Sequence, residues 1–408
     1  MQLQVYCAIK LYMRYFYYLL GLSCLFGCNS NRVVDVDITP YLVDITKPSQ
    51  FDSLISPREL LTNVEYIKLG SPEKFFLTEA KKILELDSKL FILDKNKKIV
   101  VAYDLQGNFI GQVGRKGFGP GEYKSVMDFD VDPKRNSVLI FSSAQQALLE
   151  YGSDLTFRKK IRVNIFASQI SLLASGNIAF YSYFDEGNSN ISIFNFEGEQ
   201  VQSSMTYPKS DLSPLDYTGF IDGNYYTYPL SSKILFLNED GRKDSEVFEI
   251  KVPNMRKESK KFEHNDFLNA PWIERHILNR FSIGKDAKNF LFYYSFKENG
   301  NTGFTLGVKL NNGQNFGHLN LKHGWGSKSD PFGNLFFVGP YNLPTYSISS
   351  DRYYIAATNE LMEYFYSGDE SIVLSETKKI DRKLHSILAK SNASENPIVL
   401  RFKLKEEL

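Results

Sequence analysis

The chain is poor in the groups that usually announce chemistry. It holds three cysteines in 408 residues, Cys7, Cys24 and Cys28, all near the start. From residue 29 onward there is no thiol, which excludes a disulfide framework and a thiolate metal site there. The five histidines, His264, His276, His318, His323 and His385, show no His-x-x-x-His spacing, so the helical zinc motif is excluded. His318 and His323 flank a turn near Trp325 and read as ordinary surface or core histidines. No Gly-x-Ser-x-Gly elbow occurs. Charge of one sign is also lacking: the net charge is +1 from 48 basic and 47 acidic residues. Nucleic-acid binders carry a strong basic excess, so a nucleic-acid partner is excluded. The leading apolar stretch, Tyr15 to Gly27, is 13 residues, short of the roughly 20 that a membrane-spanning helix needs.

That stretch, preceded by Lys10 and Arg14, has the length of a secretory signal core, about 7–15 residues. Met13-Arg14 offers a second start. Leu25-Phe26-Gly27-Cys28 resembles the bacterial lipoprotein signal. The resemblance implies a signal peptide over 1–27, cleavage after Gly27, and Cys28 as the acylated first residue of the mature chain. Two or three acyl chains, at about 0.8 kcal/mol per buried CH₂, anchor a protein stably where one does not. Asn29-Ser30-Asn31-Arg32 holds no acidic run of the kind that some gut-type Gram-negative bacteria use to route lipoproteins outward. The expected location is therefore the cell envelope, on the periplasmic face. Asp52-Ser53-Leu54 is similar to a short O-glycosylation acceptor of some of these bacteria.

Aromatics are abundant, with 32 Phe and 25 Tyr. Their first reading is sheet-to-sheet packing, the usual place of aromatics in β proteins. The second is an aromatic-lined face for sugars or peptides. Runs such as Leu90–Leu93 and Ile99–Tyr103 are apolar on both faces, as in strands covered on both sides. Turns recur at Gly107, Asp154, Gly198 and Gly241, in steps of 47, 44 and 43 residues. Four short strands per 40–50 residues is the signature of a β-propeller. The next such turn, Asn311-Asn312-Gly313, lies 72 residues beyond Gly241, which predicts a helical insertion over about 254–281. Ile380, Leu384, Ile387 and Leu388 lie at helical spacing and predict a helix over about 371–390, packed on its own domain. Val64–Leu69 is a spare strand, expected to join the last blade and leave neither chain end as an open edge.

From about Val64 to Leu404 the chain resembles the six-bladed β-propeller lipoproteins of gut-type Gram-negative bacteria, relatives of the NHL-repeat propellers. The resemblance rests on Glu65-Tyr66-Ile67-Lys68-Leu69, on the hairpin 83–110, and above all on Gly114-Arg115-Lys116-Gly117-Phe118-Gly119-Pro120-Gly121-Glu122-Tyr123 followed by Phe129-Asp130-Val131-Asp132. It implies an all-β six-bladed β-propeller over 61–408, with the N-terminal strand closing the last blade and short helical insertions. Residues 28–60 are then a tether and arm. It implies no settled activity.

The 114–123 loop holds four glycines and a proline. No strand-to-helix context with Lys-Ser/Thr follows, so a P-loop is excluded. It reads first as a rigid crossover between blades. Its second reading is a ligand-binding loop at the channel mouth, with Arg115, Lys116, Glu122 and Tyr123 as polar contacts. Asp94, Asp130, Asp132 and Asp222 are available to form a carboxylate group at the axis, although turn capping is the default role of such residues. The leading expectation is a lipid-anchored binding or interaction scaffold without cofactor, for an envelope protein, glycan or peptide. The alternative is a propeller hydrolase, lactonase or lyase with a metal in the central channel.

Overall fold

In the computed structural model, the described residues are 41–44, 57–72, 75–182, 189–206, 220–227, 233–239, 245–251, 277–284, 289–298, 301–309, 315–320, 332, 336, 344–357, 381–390 and 395–406. Cys7, Cys24 and Cys28, and the Asp52–Leu54 triplet, lie outside them. Pro40–Leu408 form one compact unit.

The chain begins with β1 (Tyr41–Asp44) and β2 (Leu61–Lys68). The first sheet is β3 (Ala80–Leu86), β4 (Lys89–Asp94), β5 (Ile99–Asp104) and β6 (Phe109–Gln112). A two-stranded ribbon, β7 (Arg115–Lys116) and β8 (Glu122–Tyr123), leads to the second sheet. That sheet is β9 (Asp128–Asp132), β10 (Ser137–Ser142), β11 (Ala147–Gly152) and β12 (Phe157–Arg162). The third is β13 (Gln169–Leu172), β14 (Ile178–Tyr181), β15 (Ser189–Phe194) and β16 (Gln200–Thr206). The fourth is β17 (Phe220–Asp222), β18 (Tyr225–Thr227), β19 (Lys233–Phe236) and β20 (Ser245–Lys251), to which β1 adds in parallel as a fifth strand. The fifth is β21 (Ile277–Ile283), β22 (Phe290–Glu298), β23 (Asn301–Lys309) and β24 (Asn315–Asn320). The last joins β25 (Thr345–Ser347), β26 (Arg352–Ala356) and β27 (Ile398–Leu404) with β2.

Apart from the added β1, the joining β2 and the parallel β7–β8 ribbon, consecutive strands of each sheet form an antiparallel meander, and the first strands pack against one another in chain order. β3 lies beside β9, β9 beside β13, β13 beside β17, β17 beside β21, β21 beside β25, and β25 beside β3. The architecture is an all-β propeller. Middle strands carry the core because both their faces meet a neighbouring sheet: β4, β5, β10 and β11 are buried almost throughout. The outer β12 is exposed at every position but Ile161.

β2 pairs antiparallel with β27, from Leu61 opposite Leu404 to Lys68 opposite Ile398, so strands from both ends of the compact unit share one sheet. Two polar knots hold this junction. Arg401 ion-pairs with Glu65 of β2 at 2.8 Å and with Glu85 of β3 at 3.0 Å. Asp381 pairs with Arg58 at 2.8 Å, accepts the Tyr66 hydroxyl at 2.6 Å, and caps a helix through Lys383 N and Leu384 N.

Two turn glycines show why the repeat spacing carries glycine. Gly107 has φ +88° and a side chain there would meet the Lys68 carbonyl of the neighbouring β2 at 2.1 Å. Gly198, with φ +85°, stands in the same relation to the Arg162 carbonyl of β12. Only a residue without Cβ fits both the conformation and the approach.

One expectation needs correction. Residues 277–281 of the expected helical insertion are strand, the start of β21, which pairs with β22 from Ile277 opposite Ser295 to Ile283 opposite Phe290. Residues 254–276 lie outside the described residues. Within the expected helix over 371–390, the described helix is Arg382–Leu388, set by the Asp381 cap, with Leu384 and Leu388 buried in the domain's own core. Among the described residues no helix is long and apolar enough to cross a membrane.

Candidate functional site: the propeller axis and the connector loops

The innermost strand of each sheet has a free edge, and its backbone N–H groups need acceptors. Side chains of the preceding sheet supply them. Asp128 and Asp130 on β9 accept from Ile170 N at 2.9 Å and Leu172 N at 2.8 Å on β13. Gln169 and Ser171 on β13 accept from Ile221 N at 3.3 Å and Gly223 N at 2.7 Å. Asp222 on β17 accepts from Ile283 N at 3.2 Å. Thr345 and Ser347 on β25 accept from Ile83 N at 3.0 Å and Glu85 N at 2.9 Å, which joins the last sheet to the first. Side chains two residues apart on one strand point to the same side, so a polar-x-polar pair clasps two N–H groups of its neighbour.

The step from the first sheet to the second departs from this rule. Lys82 of β3 offers no acceptor; its ammonium instead approaches Asp128 Oδ1 at 3.4 Å and lies 5.7 Å from the Phe129 ring centre. Burial works against the charge on Lys82, but the carboxylates of Asp128, Asp130 and Asp222 overcome it and hold its pKa above the ordinary lysine value. Burial pushes the Asp130 carboxyl up, against the pull of Lys82 and the Leu172 N–H. Asp222 is pushed up to about 7, again chiefly by burial, with the Ile283 N–H and Lys82 opposing. Lys82, Asp130 and Asp222 each keep part of their surface in solvent. The arrangement is an axial cluster of one ammonium among three carboxylates from three sheets.

In each meander, connectors between sheets leave from the end where the first strand starts, which is also the end of the second-to-third strand loops. The 114–123 loop is one such connector. Val126 N bonds to Lys98 O at 3.0 Å and Met127 N to Phe141 O at 2.9 Å, tying the connector to the neighbouring sheets. Glu122 is spent on the loop itself: it accepts from Gly119 N at 2.8 Å and pairs with Arg115 at 2.5 Å, and these lower its pKa, the Gly119 N–H most. Tyr123 is fully buried; its hydroxyl donates to Val113 O at 3.1 Å and accepts from Gln112 at 3.0 Å, and burial pushes its pKa up to about 12. Arg115 and Lys116 face solvent. Between them and the proline stands Phe118, 82% exposed.

The model of a domain of unknown function, DUF4934, matches residues 40–403. The chain belongs to this family. In structure the DUF4934 propeller is similar to a putative exported protein from Bacteroides fragilis, with TM-score 0.66 and 18% identity over 89% of this chain and 99% of that one. It is also similar to a member of the DUF4221 family from Bacteroides vulgatus, with TM-score 0.55 and 11% identity over 85% and 98% of the two chains. At these identities the likeness is one of fold. None of the curated proteins matches the chain in sequence.

Of the four aspartates expected near the axis, the DUF4934 fold brings Asp130 and Asp222 together there. Asp94 and Asp132 instead cap turns, Asp94 through Thr78 N and Lys97 N, Asp132 through Lys134 N and Arg135 N. Of the four loop residues, Lys116 is exposed, Arg115 is exposed and paired with Glu122, Glu122 organises the loop, and Tyr123 belongs to the core. Lys82 and Asp128 were not visible in the sequence as site residues. The signal for Asp128 was the Asp-x-Asp alternation at the start of β9, matching Gln-x-Ser on β13 and Thr-x-Ser on β25. Lys82, within a lysine pair, carries no such mark.

Proposed function

We propose that this protein is a lipid-anchored, six-bladed β-propeller of the cell envelope, moored through Cys28 on the periplasmic face, that binds a partner at its connector end. Six blades are supported by the sheets that contain β3, β9, β13, β17, β21 and β25, each counted as one blade. The anchor is supported by the apolar stretch Tyr15 to Gly27 and by Gly27-Cys28. The Bacteroides fragilis neighbour is described as a putative exported protein, in keeping with an envelope location. Arg115 and Lys116, with Phe118 between the glycines, are the ligand-facing part of the 114–123 loop.

The observation that carries binding over catalysis is the engagement of the axial carboxylates. Asp128 and Asp130 accept backbone N–H groups, and the Lys82 ammonium stands among them. The alternative reading, a hydrolase, lactonase or lyase with a metal in the channel, would draw on the same three carboxylates. They do not fit that role: a lysine holds the place of a cation, and among the described residues no group of three His, Cys, Asp or Glu is placed to hold a metal ion.

Metabolic labelling with palmitate and membrane fractionation test the anchor. The wild type takes up label and fractionates with membranes, whereas Cys28→Ala takes up no label. Label retained by Cys28→Ala, or an unlabelled wild type, refutes the anchor.

A further inference from the structure

Three successive connectors each hold out a phenylalanine. Phe76, between β2 and β3, is 46% exposed; Phe118, between β6 and β9, is 82% exposed; Phe166, between β12 and β13, is 71% exposed. By the alternation of strand direction all three lie at the connector end of the wheel. They are far apart in sequence and share no repeat motif, so the sequence did not suggest a common face.

The rings are held out on braced backbone. Around Phe118, the β7–β8 ribbon, the Gly117 N bond to Tyr123 O at 3.0 Å and the Glu122–Gly119 bond fix the loop. The Phe166 carbonyl accepts the Ser182 hydroxyl at 2.7 Å, and the Phe76 carbonyl accepts the Lys97 ammonium. Cations lie on the same end. Lys98, Lys116 and Lys124 are exposed and, among the described residues, pair with no carboxylate, and Lys124 lies 5.3 Å from the Phe118 ring centre. Glu79 and Glu122 on the same connectors are already paired with Lys95 and Arg115.

We propose that this end of the propeller rests on an anionic phospholipid bilayer, with Phe76, Phe118 and Phe166 seated at the headgroup boundary and Lys98, Lys116 and Lys124 against phosphates. Rings projecting from three separate connectors suit a fluid surface, which conforms to them, better than a shaped protein partner. Phenylalanine has no hydroxyl to orient a sugar, and unpaired ammonium groups complement anionic headgroups. The proposal deepens the anchored reading: the acyl chains on Cys28 hold the protein at a bilayer, and this end of the propeller sets how it lies there.

The test uses the unacylated chain from Asn29, which keeps the whole compact unit Pro40–Leu408. It is sedimented with phosphatidylethanolamine–phosphatidylglycerol vesicles and, separately, with phosphatidylcholine vesicles. Binding is expected on the first, falling with added salt, and weak on the second. Phe118→Ser and Phe166→Ser each lower the partition coefficient about tenfold. Lys98→Gln, Lys116→Gln and Lys124→Gln together abolish the preference for phosphatidylglycerol. Thermal melting of each variant at the wild-type temperature confirms that folding is intact. No binding to the anionic vesicles, binding indifferent to these substitutions, or binding to a glycan array through the same phenylalanines would overturn the proposal. Because the probe has no acyl chain, failure of Cys28 labelling leaves this result standing, and the reverse also holds.

Discussion

Asp222 offers the sharpest check on the axial electrostatics. Its carboxyl accepts the Ile283 N–H and sits in a field shared with Lys82 and Asp130. Burial raises its pKa from 3.8 to about 7. The folded protein therefore keeps a proton that the unfolded chain gives up between about pH 4 and pH 7. Stability from this group is full below pH 4, falls as pH rises through that window, and is level above it. At about 1.4 kcal/mol per pH unit the ceiling is roughly 4 kcal/mol. Asp222 retains some solvent contact, and screening brings the expected effect to about 1–2 kcal/mol. Asp222→Asn keeps an acceptor for Ile283 N and removes the titration. Urea unfolding from pH 4 to pH 8 should show the variant equal to wild type at pH 4 and about 1–2 kcal/mol more stable at pH 8. Other carboxylates shape the absolute profile, so the difference between the two proteins is the quantity read. A constant difference across the range, or a variant weaker at pH 8, would refute a raised pKa at this position.

Two further outcomes test the ring itself. Gly107→Ala places a methyl against the Lys68 carbonyl at φ +88° and should cost at least about 2 kcal/mol, while Gly223→Ala, at φ +58° with nothing within 4 Å, should cost only about 1 kcal/mol; thermal denaturation separates them. Arg401→Met leaves the buried Glu85 without its cation and should cost about 3–5 kcal/mol, with part of the loss recovered in the Arg401→Met, Glu85→Gln double variant when both are unfolded in urea.

The repeated sheets were legible because each middle strand is apolar on both faces and each third-to-fourth strand turn has a characteristic residue, glycine at 107 and 198. The closing strand was legible as a surplus strand with no partner nearby in sequence. β1 was not: Tyr41–Asp44 is four residues long and gains its hydrogen bonds by parallel addition to β20, two hundred residues away. Residues 277–281 read as helical only because they adjoin a charged stretch, and pairing with β22 decides otherwise. At the site, Asp94 and Asp222 look alike in sequence. One caps a turn and the other reaches the axis, because a short aspartate takes whichever N–H its strand position presents. Tyr123 looked like a surface contact in a glycine-rich loop, yet the loop folds it inward against Val113 and Gln112.

By itself the sequence determined the unit of construction: short strands that must be covered on both faces and turns that must lack a Cβ. These are local requirements, enforced by sterics and by the transfer of apolar surface from water. Only the tertiary structure decided which charges meet. Lys82, Asp128, Asp130 and Asp222 converge because the first strands of separate sheets line one axis, and Phe76, Phe118 and Phe166 share an end because successive connectors leave from the same side. Strand order and direction, set by closure of the ring, fix both, and no stretch of neighbouring residues encodes either.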